Sequence, residues 1–280
     1  QRLLATTMML LIRTAALAGW SGDDDSGFTQ EDIDAAREEG RAAGIAEATT
    51  PSTLDTIIVR GSMKCGVKES QYGMGYLDSA TGVRSGLDIS YCRAVAAAIG
   101  LDPDTDVEYI PASGSDRFEK LASGTIDVLI RTTTWTTSRD ADLNADFAGI
   151  NFYDGQGILV NKDAFPDATS ALHLDGAKIC VGIGTTTEGN IADYFAVNDM
   201  TYEAVNSDDA ATAKAQFEDG SCDAWTGDMS AMVAQKFGLD TAAVPNSAIM
   251  PELLSKEPLA AATRDNDDDW NDVVTWVWFG

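Results

Sequence analysis

The stretches FEKLASGTID at residues 118–127 and FEDGSCD at residues 217–223 decide the fold. Each begins with a phenylalanine in a helical pattern, reaches a glycine and ends at an aspartate before an apolar run. A helix, a glycine turn and a short strand in this order are typical of a βαβ unit, and repeated units build a parallel sheet. The two stretches therefore predict two similar α/β halves, with a cleft between them where a ligand can bind.

Hydrophobic patterning continues the same alternation on both sides of these stretches. It predicts extended segments at residues 63–67, 107–110, 126–130, 178–183 and 224–226. It predicts helices at residues 87–99, 117–122, 188–197 and 210–217. One continuous doubly wound domain is the alternative architecture that this alternation leaves open.

The chain is strongly acidic. Its 280 residues include 45 Asp and Glu against 19 Lys and Arg, which gives a formal net charge of −26. This charge repels nucleic acid and anionic membranes and keeps a chain soluble, so we expect a monomer without a nucleic-acid role. The four cysteines form no CxxC pair and do not stand beside the one histidine at zinc spacing. We therefore expect no metal site, and no cofactor either.

The N-terminal segment indicates export. Residues 1–18 are largely apolar and end in Ala16-Leu17-Ala18, the small-residue pattern of a signal-peptidase site. We interpret them as a signal-peptide-like segment, followed by a spacer at residues 19–53, and expect a periplasmic location. Within the spacer, residues 29–48 lack a wide apolar stripe, which is typical of a solvated helix or a flexible linker. Trp20 stands where a lipoprotein carries its acylated cysteine, so a lipid anchor is not supported.

Seven motifs follow one another in an order that resembles the polar amino-acid-binding proteins of ABC importers. They are CGV at 65–67, SGLDI at 85–89, DRF at 116–118, GTID at 124–127, TTSR at 136–139, GTTT at 184–187 and Asp228. Three further segments resemble the general L-amino-acid-binding branch of that family, namely residues 91–98, 133–136 and 153–157. Each motif alone is weak evidence, whereas the complete order over residues 54–280 is specific.

The resemblance implies a type II periplasmic-binding-protein fold, in which two α/β lobes are joined by two hinge strands. Lobe one would comprise residues 54–155 and 250–280, and lobe two residues 156–249. Family members continue past the position of Gly280, so the last helix of lobe one is expected to be truncated and less stable than in a longer chain. The implied function is an extracytoplasmic solute-binding protein that captures a free L-amino acid and delivers it to an ABC permease in the inner membrane.

A free amino acid carries a carboxylate and an ammonium group on one carbon, and both must be paired once water is expelled. By position, Arg139 matches the family's carboxylate-binding arginine, and a guanidinium can donate two parallel N–H bonds to a carboxylate. Asp228 matches the residue that binds the ammonium group. Without the family context, Arg139 would be interpreted as a surface arginine and Asp228 as one acidic residue among many.

Six further residues are candidate ligand contacts because of their positions in the family pattern. They are Tyr72, Thr132, Thr134, Trp135, Thr186 and Thr187. The last two follow Gly184 between a strand and a helix, where free N–H groups attract a carboxylate, although a threonine there is commonly only an N-cap. Trp135 is equally open to core packing. Gln71 is the alternative to Tyr72 near the family's aromatic lid position.

The cysteines are predicted to form one disulfide in each lobe. The pairs are Cys65 with Cys92 and Cys180 with Cys222. Each joins the first strand of its lobe to a following helix or turn, so neither bond would cross the cleft.

We expect a binding protein rather than an enzyme. Catalysis needs a positioned acid or base, and the single histidine, His173, falls in a segment that looks peripheral. No nucleophile elbow or phosphate loop is present in the sequence. Carboxylates alone could still act as catalysts. A cleft enzyme similar to cyclohexadienyl dehydratase and a periplasmic amino-acid sensor therefore remain the alternatives.

Overall fold

A computed structural model of the protein describes residues 29–48 and 51–280. The described residues form two units, a helix at Gln30–Ala48 and a folded body at residues 51–280. The signal-peptide-like segment at residues 1–18 lies outside the described residues. In the helix, the side chains up to residue 42 are almost all exposed, as in the solvated helix that was one of the two interpretations. No described helix combines the length and the apolar character that a membrane span needs.

Helices and strands alternate along the described part of the chain. Its helices are α1 (Gln30–Ala48), α2 (Thr53–Arg60), α3 (Leu87–Ala98), α4 (Arg117–Ala122), α5 (Thr137–Asp142), α6 (Thr186–Val197), α7 (Ala210–Glu218), α8 (Met229–Phe237) and α9 (Asp268–Phe279). Its strands are β1 (Met63–Val67), β2 (Ser70–Gln71), β3 (Gly75–Leu77), β4 (Arg84–Ser85), β5 (Val107–Pro111), β6 (Val128–Thr134), β7 (Ala145–Asp154), β8 (Gln156–Asn161), β9 (Ala177–Gly182), β10 (Tyr202–Ser207), β11 (Ala224–Asp228), β12 (Ser247–Ile249) and β13 (Glu257–Arg264).

The body contains two five-stranded sheets, each the centre of one lobe. The order is β5-β1-β6-β13-β7 in lobe one and β10-β9-β11-β8-β12 in lobe two. In each sheet three neighbouring strands are parallel, and the remaining two run antiparallel to their partners. A separate antiparallel sheet of β2, β3 and β4 adjoins lobe one. The alternative of one continuous doubly wound domain is wrong, because the strands do not form a single sheet.

Each sheet is covered by helices on both faces, so each lobe has its own core. In lobe one, Trp270 of α9 and Val95 of α3 pack on one face of the sheet, and Leu121 of α4 packs on the other. In lobe two the corresponding side chains are Phe195 of α6 on one face and Phe217 of α7 on the other. The sequence VLIRTTT of β6 is buried at all seven positions, as expected for a central strand of a covered parallel sheet.

The predicted elements agree with the structure to within about two residues at most ends, except that β6 continues to Thr134. The predicted disulfides are confirmed. Cys65 of β1 is bonded to Cys92 of α3, and Cys180 of β9 is bonded to Cys222. The patterning did not indicate the antiparallel strands that complete each sheet, because these strands lie far apart in sequence from their partners.

Two short segments connect the lobes. The chain leaves lobe one at the end of β7 and enters lobe two at the start of β8, with Gly155 between them. It returns between the end of β12 and the start of β13. A Cβ atom on Gly155 would lie 2.8 Å from the carbonyl oxygen of Ser255, so the two connections pass so closely that only glycine fits.

Candidate functional site

A cavity of about 450 Å³ lies between the lobes, at the carboxyl ends of their parallel strands. Lobe one contributes Lys68, which follows β1, and Arg131 in β6. Lobe two contributes Ile183, which follows β9, and Asp228 at the end of β11. In open α/β sheets a ligand binds outside the carboxyl ends of the strands, so this cavity is the candidate site.

The lobes contact each other on both sides of the cavity. On one side, Nη2 of Arg117 donates to the carbonyl oxygen of Gly184 at 3.1 Å. On the other, Nε2 of Gln71 donates to Oγ of Ser230 at 2.8 Å. Gly184 has a φ of 68°, and a Cβ atom there would lie 2.9 Å from the carbonyl oxygen of Gly114 across the cleft. The structure therefore shows the lobes closed on each other.

Six of the eight predicted contact residues line this cavity. They are Thr132, Thr134, Arg139, Thr186, Thr187 and Asp228. The segments that carry them come from both lobes and are up to about a hundred residues apart in the chain. Folding thus brings the predicted set together, while the ligand contacts of these residues stay predictions.

Arg139 is held rigidly at the wall of the cavity. It lies in α5, whose N-cap Thr136 accepts the backbone N–H of Arg139 at 3.3 Å. Its Nη1 donates to the carbonyl oxygen of Thr134 at 2.9 Å, and its guanidinium lies 5.6 Å from the ring centroid of Phe118. Desolvation lowers the pKa of Arg139, although the nearby Glu257 opposes this effect. The charged fork remains in place to receive a carboxylate.

Asp228 faces Arg139 from the opposite lobe. It ends β11 and stands at the N-cap of α8, but its side chain makes no capping hydrogen bond. Desolvation raises the pKa of Asp228 to about 6, while the positive charge of Lys68 lowers it. A carboxylate that costs free energy to keep ionised gains most from an ammonium group close by.

The N-terminal end of α6 brings further polar groups to the cavity. Its N-cap is Thr185, whose hydroxyl accepts the backbone N–H of Glu188 at 3.2 Å. The positive end of a helix favours an anion, and the adjoining Gly184 allows the lobes to approach closely. The backbone N–H of Gly184 already donates to Oε2 of Glu188 at 2.9 Å, and the expectation that this turn receives a ligand carboxylate stays a prediction.

The hydroxyl groups of two predicted contact residues take part in hydrogen bonds that connect the lobes. The hydroxyls of Thr134 in lobe one and Thr186 in lobe two both donate to Glu257, the first residue of β13. Glu257 is 1% exposed and also accepts hydrogen bonds from Ser255 and Asn190. The two hydroxyls therefore stabilise the contact between the lobes, which the sequence did not indicate.

Thr132 is conformationally unusual. Its φ is 31°, in a region that residues other than glycine rarely adopt, and it is 7% exposed. Its hydroxyl finds no hydrogen-bond partner within the described part of the chain. Strained backbone and an unpartnered buried hydroxyl at a cavity wall are typical of binding sites.

Trp135 and Tyr72 are not among the residues that line the cavity, and their ligand contacts stay predictions. Trp135 stacks on Phe147 with a centroid distance of 5.6 Å and donates from Nε1 to Asp140 at 3.2 Å. Tyr72 is 63% exposed, and its ring lies 6.2 Å from that of Phe237 of lobe two. Both rings lie against aromatic neighbours that the local sequence does not reveal.

Comparison with known proteins decides the family. Residues 63–224 match the family model described as bacterial extracellular solute-binding proteins, family 3. The chain belongs to this family. The glutamate/glutamine/aspartate/asparagine-binding protein of Rhodobacter capsulatus is 46% identical over 85% of this chain and 69% of its own length. The general L-amino acid-binding periplasmic protein of Rhizobium johnstonii is 42% identical over 83% of this chain and 66% of its own length.

Solved structures show the same fold. An ABC transporter periplasmic binding protein from Brucella ovis, solved with glutathione bound, has a TM-score of 0.76 and 45% sequence identity to this chain. The match covers 81% of this chain and 70% of that protein. This solute-binding protein thus spans about two thirds of the length of such relatives, and its type II two-lobed fold is confirmed.

Among the cavity residues of this solute-binding protein that were not predicted as contacts, three are basic and form no ion pair within the described part of the chain. They are Lys68, Arg117 and Arg131. A usable signal was present, because Lys68 directly follows a predicted strand in a chain with only 19 basic residues. A basic residue at the carboxyl end of a parallel strand is a candidate ligand contact, because ligands bind at that end of the sheet. Among the described residues, no three His, Cys, Asp or Glu side chains are grouped as metal ligands.

We expect ligand binding by the solute-binding protein to weaken in acid. Only ionised Asp228 pairs with an ammonium group, so binding lowers its pKa below the value of about 6 in the free protein. Affinity is therefore full above this pH and falls as the pH decreases through it, by up to about tenfold per pH unit. Desolvation lowers the pKa of Lys68 to about 7, so Lys68 is only partly charged at neutral pH and gains charge as the pH decreases.

Isothermal titration between about pH 5 and pH 7 measures this dependence. The other charged groups that influence the carboxyl group of Asp228 include Lys68, Asp154, Glu257 and Arg131, together with Arg117, Arg139 and Asp88. The variant Asp228→Asn is the control, because it removes the titrating group and leaves these neighbours in place. An affinity for the parent protein that does not change over the range would contradict the assignment of Asp228.

Proposed function

We propose that this protein captures a free L-amino acid in the cleft between its lobes and delivers it to an ABC permease. The single observation that carries the proposal is the opposition of Arg139 in lobe one and Asp228 in lobe two across one cavity. A fork of donors and a carboxylate on opposite walls complement the two charges of an amino acid. The printed functions of the two relatives, which bind amino acids, support the same conclusion.

Closure follows from the same arrangement. A ligand shifts the equilibrium between open and closed lobes only through its different affinity for the two states. An amino acid that contacts Arg139 and Asp228 together binds the closed state better, because only closure brings both groups to it. The closed lobes would then be the form that an ABC permease in the inner membrane recognises.

A thermal-shift screen of the twenty amino acids tests the proposal. A ligand at about a hundred times its Kd adds about 2.7 kcal/mol to the free energy of unfolding, so a binder raises the Tm measurably. Glutathione belongs in the screen because a relative was solved with it. Product analysis with prephenate tests for the dehydratase alternative. The proposal is overturned if no amino acid raises the Tm, or if prephenate is turned over.

The variant Arg139→Lys should bind the best amino acid of this screen about ten to a hundred times more weakly. Lysine keeps the charge but loses the second N–H donor that a guanidinium offers to a carboxylate. Isothermal titration gives the Kd of each protein. The matched control is Arg93→Lys, because Arg93 forms an exposed ion pair with Asp104 far from the cavity wall. Equal affinities for the two variants would show that Arg139 does not receive the carboxylate.

A further inference from the structure

The cavity wall carries more buried positive charge than a free amino acid can pair. Besides Arg139 and Lys120, which is paired with Asp116, the cations Lys68, Arg117 and Arg131 line it, although the chain as a whole has a net charge of −26. Arg117 is 2% exposed and Arg131 is 6% exposed, so neither guanidinium is a solvated surface group. Arg117, Arg131 and Arg139 line the same cavity, and desolvation, to which the charges of the other two arginines add, lowers the pKa of Arg117.

Arg131 is the least compensated of these cations. Within residues 29–48 and 51–280, its side chain forms no ion pair and no hydrogen bond, and its Nε is a buried donor without a partner. Buried arginines in proteins are normally paired, because an unpaired buried charge costs several kcal/mol. Arg117 has one polar contact, to the carbonyl oxygen of Gly184, and its Nε is unpartnered too.

The acidic residues of the cavity wall do not supply the missing charge. Glu69 is paired with Arg84, and Asp116 is paired with Lys120. Asp209 caps α7 through the backbone N–H of Thr212, at 2.8 Å. Beside these acids and the exposed Asp208, the described residues contribute only Asp228 to the acidic groups of the wall, and the proposed function assigns Asp228 to the ligand ammonium group.

Asp88 is the other buried carboxyl group near these cations. It is 2% exposed and does not line the cavity, and one of its oxygens has no partner within the described residues. Desolvation raises the pKa of Asp88 to about 7, so its negative charge is only partly developed at neutral pH. It therefore balances at most part of the charge of the neighbouring Lys68 and Arg131.

From this surplus we infer that Arg131, with Arg117 and Lys68, forms a subsite for a second anionic group on the ligand, the side-chain carboxylate of an acidic amino acid. The inference rests on the proposed function, in which Arg139 and Asp228 hold the α-carboxylate and the ammonium group. A neutral zwitterion leaves the three additional cations without a counter-charge, whereas a ligand with a net charge of −1 supplies one carboxylate for them to share. The subsite thus selects glutamate or aspartate over the corresponding amides, which have nearly the same shape.

Isothermal titration of the parent protein with four ligands tests the selection without any substitution. We expect glutamate to bind about ten to a hundred times more tightly than glutamine, and aspartate to exceed asparagine in the same way. Equal or tighter binding of the amides would overturn the subsite while leaving the proposed function intact. Failure of all twenty amino acids to bind would overturn the proposed function itself, so the two failures are distinguishable.

The variant Arg131→Met assigns the selection to this residue. Methionine keeps an extended side chain of similar length without the charge, so the preference for glutamate over glutamine should decrease about tenfold or more. The control is Arg93→Met, which removes an exposed arginine and should keep the parental preference. A melting curve shows whether each variant folds, and Arg131→Lys, which retains a charge, should keep most of the preference. An unchanged preference in folded Arg131→Met would contradict the role of Arg131.

Discussion

The variant Asp228→Asn should bind the preferred amino acid about two to three and a half orders of magnitude more weakly than the parent protein. Asparagine keeps the shape of the side chain but leaves the buried ammonium group of the ligand without a counter-charge, which costs about 3 to 5 kcal/mol. Asp228 lies at the end of a central strand and lines the cavity. The effect is large because the other described acidic residues of the cavity wall are paired, cap a helix or are exposed, so none of them replaces Asp228 in this role. Isothermal titration of both proteins measures it.

The matched control for this substitution is Asp223→Asn. Asp223 directly precedes β11, whereas Asp228 ends it, and Oδ2 of Asp223 accepts the backbone N–H of Lys178 at 2.9 Å. An asparagine oxygen can accept the same hydrogen bond, so ligand affinity should stay close to that of the parent. If Asp228→Asn binds within about threefold of the parent, the assignment of the ammonium site is wrong.

Removal of the two disulfides should cause the largest loss of stability. The bonds join residues 27 and 42 positions apart. Closing loops of these lengths lowers the entropy of the unfolded chain, which adds about 3 to 4 kcal/mol per bond to the free energy of unfolding in the chain-entropy model. A typical domain has a free energy of unfolding of about 5 to 15 kcal/mol, so loss of both bonds is expected to leave little stability. Urea titration of the variant with Cys65 and Cys92 changed to Ala, and of the variant with Cys180 and Cys222 changed to Ala, measures each bond separately.

A reductant applied to the parent protein should reproduce the combined effect of the two double variants. The control substitution is Val197→Ala, because Val197 is 83% exposed and its truncation should change the free energy of unfolding by less than about 0.5 kcal/mol. Because each bond lies within one lobe, ligand affinity of any variant that remains folded should be preserved. Parental stability in both double variants would contradict the stabilising role of these bonds.

The order of strands and helices could be read from the sequence because it depends on local properties. Apolar periodicity and the glycine turns at Gly124 and Gly220 set where helices end and strands begin, and both glycines have a positive φ of 74° and 79°. The cysteine pairs could be assigned for a related reason, since they join neighbouring elements of one lobe. The positions of Arg139 and Asp228 followed from the motif order, which the tertiary fold of the family preserves.

Other features depend on contacts between residues that are remote in sequence. The antiparallel strands β7, β8, β12 and β13 complete the sheets with partners that no local pattern indicates. Glu257 accepts hydrogen bonds from hydroxyl groups of both lobes, although the sequence does not distinguish it from the other acidic residues in a chain with 45 of them. Trp135 packs on Phe147 and Tyr72 packs on Phe237 of the other lobe, contacts that no local pattern indicates.

The charge balance of the cleft is the clearest example of a property that emerges on folding. In sequence, Lys68, Arg117 and Arg131 are three of 19 basic residues in an acidic chain, where each could be a solvated surface group. The closed lobes remove water from them and place them beside one another, so their electrostatic interaction becomes strong in a less polar environment. Sequence patterns determined which elements form, because those depend on neighbouring residues, whereas the affinity of the cleft for charge arose from desolvation and proximity across the two lobes.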